Sequence, residues 1–586
     1  MRFFRKALIV IITLILIAAI WVWWNRPRKV DMSAYVPADS LIYLEANDLP
    51  DIASSLVSTD AWKALAPSAG IRSDMGRIGW LSRLASWTGI GSSEAVVLSR
   101  AQVAIAVLGF DAADAGETLK IKPRYAVIAE THTGESRTRT AVEQRVGDFA
   151  KRAYGEPHVE QKEADGVKFT TWLAPDGERR IIAAVTGSLA VIGNDESAVQ
   201  ACLAVHRGER PSLKDNPQLE EMRRRVGGND ALAFGYISPE GAERLLEIAA
   251  TAYASQISTD PRAQSAAASL LPSIAKKILG GAGWSAHLSN GSIEDRYFLG
   301  LKNGVADKLK SALVSEPNAA LTTNELLPAE TYSISRYNYN DPAQAWRTFN
   351  STVTSQLDTL SAILIGRLLD TALKPYGIEE PDNFLRAIGP EIVTARLDDS
   401  GARTVTIVEV RDEKTLRDFV SKRLGAKTRS ETIGDALLLV SNNEKHDAAS
   451  FVGNHLILGT EETVRRCLEA MAANQTLATA DDFRKTIQFV SASSPASVVT
   501  YTEDHAPALT FIEAISNQKG ARERPMNQKG LEKSLGQLRY AVSETQVVEG
   551  GFERRTRSSF GQFGSLASQF VPPESDKKQE KGRVEQ

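Results

Sequence analysis

Ile181-Ile182-Ala183-Ala184-Val185, Thr186-Gly187-Ser188 and Leu189-Ala190-Val191-Ile192-Gly193 read as strand, tight turn and strand. Two short apolar runs joined through a glycine-containing turn are the sequence pattern of a β-hairpin. The pattern returns later as Ser450-Phe451-Val452, Gly453-Asn454 and His455-Leu456-Ile457-Leu458-Gly459. Each hairpin runs into an acidic helix start, Asn194-Asp195-Glu196 or Thr460-Glu461-Glu462, which suits the positive helix N-terminus and supplies capping oxygens. The helices that follow set Val199, Cys202, Leu203 and His206 against Val464, Cys467, Leu468 and Met471, and one inserted residue near Asn194 brings the cysteines into register.

Working outward, the correspondence extends along the chain. Val36-Pro37-Ala38-Asp39-Ser40 opens one half and Leu327-Pro328-Ala329-Glu330-Thr331 the other. Gly89-Ile90 leads through Val96-Val97-Leu98 to a strand at Val103 to Leu108, and Gly377-Ile378 leads through Phe384-Leu385 to one at Glu391 to Leu397. Beyond the helices come Leu213 to Leu219 or Leu477 to Phe483, then strands Ala231 to Ile237 or Ser497 to Thr502. Closing hairpins follow at Trp284 to Leu301 and Leu538 to Arg555, each preceded by a polar or basic excursion, Ser255 to Ala268 or Ser516 to Gly530. Self-similarity at this period means a duplicated module. Short strands with tight turns and segregated helices predict an α+β fold: two tandem, internally repeated halves, 36–301 and 327–571, with mainly antiparallel sheets. Residues 302–326 connect them, and the charged, proline-containing stretch 572–586 reads as a disordered tail.

The N-terminus reads differently. Arg2, Arg5 and Lys6 precede Ala7 to Trp24, 18 residues in which Thr13 is the lone polar side chain besides the tryptophans' indoles. As a helix this run reaches about 27 Å, the thickness of a bilayer's hydrocarbon layer, and Trp21, Trp23 and Trp24 suit its interface. The expectation is a single-pass transmembrane helix at 7–24 that works as a signal anchor, with residues 1–6 cytoplasmic and 25–35 a short linker. A cleaved signal peptide fits less well, because Ala18 and Ala19 run into Ile20 and the tryptophans. Arg26, Arg28 and Lys29 balance the basic flank on the near side, so the side on which the body lies rests on the α-amino charge and on the ease with which long domains translocate.

Val36-Pro37-Ala38-Asp39-Ser40-Leu41-Ile42-Tyr43, Gly377 to Leu397, and Gly453 to Leu468 with Leu477 to Phe483 resemble the bacterial family known as domain of unknown function 3352. The likeness covers most of the chain after the anchor; Tyr332 to Tyr339 departs from the apolar strand of the first copy. The resemblance implies an exported or membrane-anchored envelope protein, and it carries over no catalytic residues.

The 586 residues are 43% hydrophobic and 24% charged with a net charge of −3, an ordinary globular composition without the basic excess that nucleic-acid binding requires. Two cysteines are too few for a disulfide scaffold. Cys202 and Cys467 lie on apolar helix faces, where buried free thiols are the usual outcome. None of the seven histidines falls into a metal-ligand spacing, so no metal and no cofactor is assigned. Ser273 to Lys276 and Ser516 to Lys519 match an acyl-enzyme spacing without its partner motifs. Gly89-Ile90-Gly91-Ser92-Ser93-Glu94 ends in Glu where a dinucleotide loop needs Gly. The basic loop Lys519 to Lys529 reads as a solvated surface feature, with contact to anionic lipid as the alternative. Glu503-Asp504-His505, at a strand end before Ala506-Pro507, is the one catalytic candidate, and the competing reading is a helix cap.

The sequence therefore points to a membrane-anchored protein of the bacterial inner membrane, its body facing the periplasm or cell exterior. It reads as a binding or scaffolding module, not an enzyme, with an envelope protein or a lipid as partner. Two alternatives stay open: an envelope hydrolase acting through Glu503, Asp504 and His505, and a lipid-handling protein with a continuous apolar cavity.

Overall fold

A computed structural model of the protein describes residues 27–73, 82, 85–86, 92–115, 118–257, 272–273, 276–313, 322–356, 362, 378, 380–442, 446–487, 496–517 and 521–570. The chain divides into two compact units. The first comprises residues up to Ser58, Ser73–Ala242 and Gly281–Leu288; the second comprises Thr59–Arg72, Glu243–Gly280 and Ser289 onward.

The strands of the first unit are β1 (Ile42–Ala46), β2 (Gln102–Ala115), β3 (Thr118–Glu130), β4 (His158–Ala164), β5 (Val167–Leu173), β6 (Arg180–Thr186), β7 (Leu189–Gly193), β8 (Ala233–Ile237) and β9 (Leu279–Ser289). They pair in the order β4-β5-β6-β7-β3-β2-β1-β8-β9. The second unit holds β10 (Ser292–Leu301), β11 (Ser333–Asn338), β12 (Ile388–Arg396), β13 (Thr404–Val410), β14 (Thr428–Ile433), β15 (Ala436–Ser441), β16 (Asp447–Val452), β17 (His455–Thr460), β18 (Val498–Thr502), β19 (Ala541–Val548) and β20 (Gly551–Ser558). Their order is β14-β15-β16-β17-β13-β12-β11-β18-β19-β20-β10, the strand order of the first unit from β14 to β19, extended at the β19 edge by β20 and β10. All of these registered pairs, among twenty described strands, are antiparallel.

Local chemistry accounts for the shared elements. Gly187 and Gly453 hold φ of 59° and 55° at the first loop position of their hairpins, a left-handed conformation that glycine adopts without Cβ strain. Asp195 accepts from the Ser197 amide at the start of the helix Glu196–His206, and Thr460 forms a reciprocal capping box with Thr463 before Glu461–Ala472. Cys202 and Cys467 lie fully buried on the inner faces of these helices. The opening motifs are structural too. The hydroxyls of Ser40 and Thr331 donate to the carbonyls of Pro37 and Pro328 at 2.8 and 2.7 Å. Asp39 pairs with Arg210, and Glu330 with Arg466.

The expected fold class needs correction. No helix among the described residues is long and apolar enough to cross a membrane. The helix Glu461–Ala472, for one, keeps a charged face of Glu461, Glu462, Arg465 and Arg466, and such a face belongs in water. The stretch 7–24 proposed as an anchor lies outside the described residues, as do 1–6 and the tail 572–586. Nor do the compact units follow the expected halves. Thr59–Arg72 belongs with the second unit because its backbone bonds there: Arg72 N–H to Ala521 O, Glu523 N–H to Gly70 O and Asn527 N–H to Ser68 O, at 2.8–3.0 Å. Those bonds also pin Ala521 to Asn527, in the stretch read as a solvated basic loop. The strands expected at Trp284 to Leu301 are β9 and β10, and β10 is in register with β20 from Ile293↔Ser558 to Gly300↔Gly551.

The stretch read as a linker is described from Pro27 onward. Met32–Tyr35 forms a 3-10 turn capped by Asp31, with Met32, Ser33 and Val36 fully buried. The Gln102 side chain clamps it: Val30 N–H donates to Gln102 Oε1 at 2.7 Å, and Gln102 Nε2 donates to Val30 O at 2.9 Å.

Candidate functional site

In the second unit the alternation of strand side chains sorts the sheet into two faces. Ile334, Val393, Ala395, Val405, Ile407 and Tyr501 point to a core shared with Val464, Cys467 and Leu468. The residues between them point the other way, and they are polar: Ser333 and Ser335 on β11, Thr394 and Arg396 on β12, Thr404 and Thr406 on β13. Register sets them opposite one another, Ser335↔Thr394↔Thr406 in one row and Ser333↔Arg396↔Thr404 in the next. Directly opposite residues sit about 5 Å apart, so six polar groups form a compact patch.

This patch lines a cleft of about 640 Å³, within the range of small-molecule sites. Leu458, Ile378 and Ala402 supply apolar wall, and Arg423 and Asp447 close one side as an ion pair at 3.1 Å. Ser335 and Thr500 share a hydrogen bond at 3.1 Å, and Thr404 donates to Gly401 O at 3.0 Å. Among the described residues the hydroxyls of Thr394 and Thr406 have no hydrogen-bond partner. Arg396 lies over the Tyr332 ring, its guanidinium carbon 5.4 Å from the centroid.

The fold does not dictate these side chains. At the equivalent registers of the first unit stand Ile42 and Leu44, Ile105 and Val107, and Tyr125 and Val127. The same strand order is thus built there with apolar residues and one tyrosine. The signal is legible in the sequence as Ser-x-Ser, Thr-x-Arg and Thr-x-Thr at strand period. The pattern alone does not single out a site, because hydroxyl residues in strands are ordinary and only the register aligns the three pairs.

The sequence candidates Glu503, Asp504 and His505 do not form one constellation. His505 Nδ1 and Glu503 Oε1 pair at 2.7 Å, which lowers the Glu503 pKa and raises that of His505. Asp504 is buried and turned elsewhere: Oδ2 accepts from the Ser559 amide at 2.6 Å, and burial pushes its pKa up to about 6. Although it precedes the helix His505–Ser516, its side chain makes no capping bond. Among the described residues no hydroxyl or thiol bonds to His505, so no nucleophile is paired with that base.

A smaller cavity of about 170 Å³ in the first unit is lined by Lys29, Asp48, Arg100, Gln102 and His132 among others. His132 Nε2 meets Gln102 Oε1 at 2.9 Å, and the His132 amide donates to Glu130. Since Gln102 Oε1 accepts only, this bond sets the Nε2–H tautomer. Burial lowers the His132 pKa, with Glu130 opposing and Arg100 adding to the effect. Cys202 and Cys467 are free thiols pushed by burial to about 12, which makes them poor nucleophiles. Among the described residues no group of three His, Cys, Asp or Glu is placed to hold a metal ion.

No protein-family model, no curated protein and no solved structure matches this chain.

Proposed function

We propose that the protein is a non-covalent binding module whose second unit receives a small, oxygen-rich ligand in the cleft on β11, β12 and β13. What carries this reading is the replacement of Ile, Leu, Val and Tyr at six register positions of the first unit by Ser, Thr and Arg in the second. Hydroxyls on a half-buried sheet face contribute less to folding than apolar side chains would, and donors and acceptors facing one cleft orient a polar ligand. Among its described lining residues the cleft has no activated nucleophile and no free base, since its acid, Asp447, faces Arg423. The chemistry of the lining therefore suits recognition and does not suit hydrolysis. The polar lining also suits a hydrophilic ligand better than an acyl chain.

The test restores the first unit's residues. A Ser335→Leu, Thr394→Ile, Thr406→Val variant of the full chain is expected to fold, with an unfolding midpoint within a few degrees of the parent. Thermal-shift titration with glucose, gluconate, glucose 6-phosphate, citrate and inorganic phosphate should stabilise the parent with at least one compound, and the variant with none. Thr406→Val alone serves if the triple variant does not fold. Equal shifts in parent and variant, or no shift with any compound, would count against the cleft.

A further inference from the structure

We infer that the ligand of this cleft is an anion, and that Arg396 receives its phosphoryl or carboxylate group while Thr394 and Thr406 take the hydroxylated remainder. The inference rests on the cleft being a binding site, and it concerns the chemistry of what enters.

Arg396 differs from Arg423, the other arginine of the cleft wall, and from Arg336 and Arg403, which alternate onto the opposite face of the sheet. Arg423 is held by Asp447 at 3.1 Å, Arg336 by Glu391 with Nε–Oε1 at 2.8 Å, and Arg403 by Glu462 at 2.9 Å. Among the described residues Arg396 has no carboxylate and no hydrogen-bond acceptor for its guanidinium. Its guanidinium carbon lies 5.4 Å from the Tyr332 ring centroid. A guanidinium set against a ring and not against a carboxylate keeps N–H groups with which arginine binds two oxygens of a carboxylate or phosphoryl group at once. A half-buried cation without a counterion carries a desolvation cost. The fold does not require that cost, because the first unit has Val107 at the same register.

The cleft also gives the charge something to act with. Arg396 lies in the row Ser333↔Arg396↔Thr404, and the adjacent row holds Thr394 and Thr406, whose hydroxyls are unpartnered among the described residues. An anion on Arg396 places its neighbouring carbons over that second row, where hydroxyls accept and donate in turn. About 640 Å³ accommodates a hydroxylated acid or a phosphate ester of sugar size. The inferred ligand is therefore a small polyhydroxylated anion. A phosphoryl and a carboxylate head both present two oxygens to an arginine fork, so both are probed.

The experiment is isothermal titration of the full-length protein with glucose 6-phosphate, gluconate and glucose, repeated on Arg396→Gln, Arg396→Lys and Thr406→Val. At least one anionic probe is expected to bind about 10-fold or more tightly than glucose, an advantage lost in Arg396→Gln. Arg396→Lys should recover part of it, because a lysine keeps the charge without the fork. Thr406→Val should weaken anionic and neutral probes alike. Circular dichroism and the unfolding midpoint of each variant separate lost binding from lost fold, and Arg396→Val, the residue of the first unit, replaces any variant that does not fold. If glucose binds as tightly as the anions and Arg396→Gln changes nothing while Thr406→Val weakens binding, the anion inference is overturned and the cleft reading stands. If no probe binds, or if none responds to Thr406→Val, both fall.

Discussion

Replacing Asp504 with asparagine isolates one buried charge whose effect on stability has a definite sign with pH. The Asp504 carboxyl is buried, accepts from the Ser559 amide at 2.6 Å, and is pushed from an ordinary 3.8 up to about 6. A carboxyl raised in the folded state binds its proton more tightly there than in the unfolded chain. Its contribution to stability is therefore full below the unfolded value and is lost as pH rises through about 6. A shift of roughly two units corresponds to about 3 kcal/mol in all, of which about 1.4 kcal/mol appears between pH 7.5 and pH 5. Asparagine keeps the shape and one acceptor oxygen for the Ser559 amide but does not titrate. Each kcal/mol moves the midpoint of a unit of this size by about 1–2 °C. The variant-minus-parent difference in midpoint should thus be about 2 °C more positive at pH 7.5 than at pH 5, read by differential scanning calorimetry at matched ionic strength. Taking the difference cancels the titration of every group the two proteins share. A difference that stays within about 0.5 °C across that range, or that grows as pH falls, would refute the assignment of a raised pKa to buried Asp504.

Other expectations follow from individual contacts. Gly70 has φ of 72°, and a Cβ there would lie 2.1 Å from Arg524 O, so Gly70→Ala should destabilise the second unit by about 2 kcal/mol or more in urea unfolding; a change under 0.5 kcal/mol would mean the segments are not pinned as described. Gln102→Leu strips both partners from the Val30 backbone, a loss of about 2–3 kcal/mol, and should speed tryptic cleavage after Lys29; unchanged cleavage would count against the clamp. Because burial lowers the His132 pKa, its contribution is present above the unfolded value of about 6.5 and lost as pH falls below it. His132→Gln should therefore flatten the acid-side fall in stability between pH 7 and pH 5, and an unaltered profile would exclude His132 as its source. Cys202 and Cys467, with thiols at about 12, should react with Ellman's reagent only after denaturation, at a rate set by unfolding.

What the sequence determined by itself is local. A hairpin needs a glycine between two apolar runs, a helix start needs a capping oxygen, and a buried helix face needs apolar residues three and four apart; each reads from within a dozen residues, as Gly187, Thr460 and Cys467 illustrate. Repetition of those signals made the order of elements legible as well. Tertiary structure alone decided the contacts that join distant segments. Gly70 meets Arg524, Asp504 turns from its own helix to Ser559, and β10 takes register with β20, far along the chain. No local rule favours one of these partners over another; the choice depends on which pairing leaves buried backbone groups satisfied. The cleft belongs to the same class. Each Ser-x-Ser or Thr-x-Arg is an unremarkable strand segment alone, and it becomes a site because register brings β11, β12 and β13 together with Arg396 left over Tyr332 and without a carboxylate among the described residues.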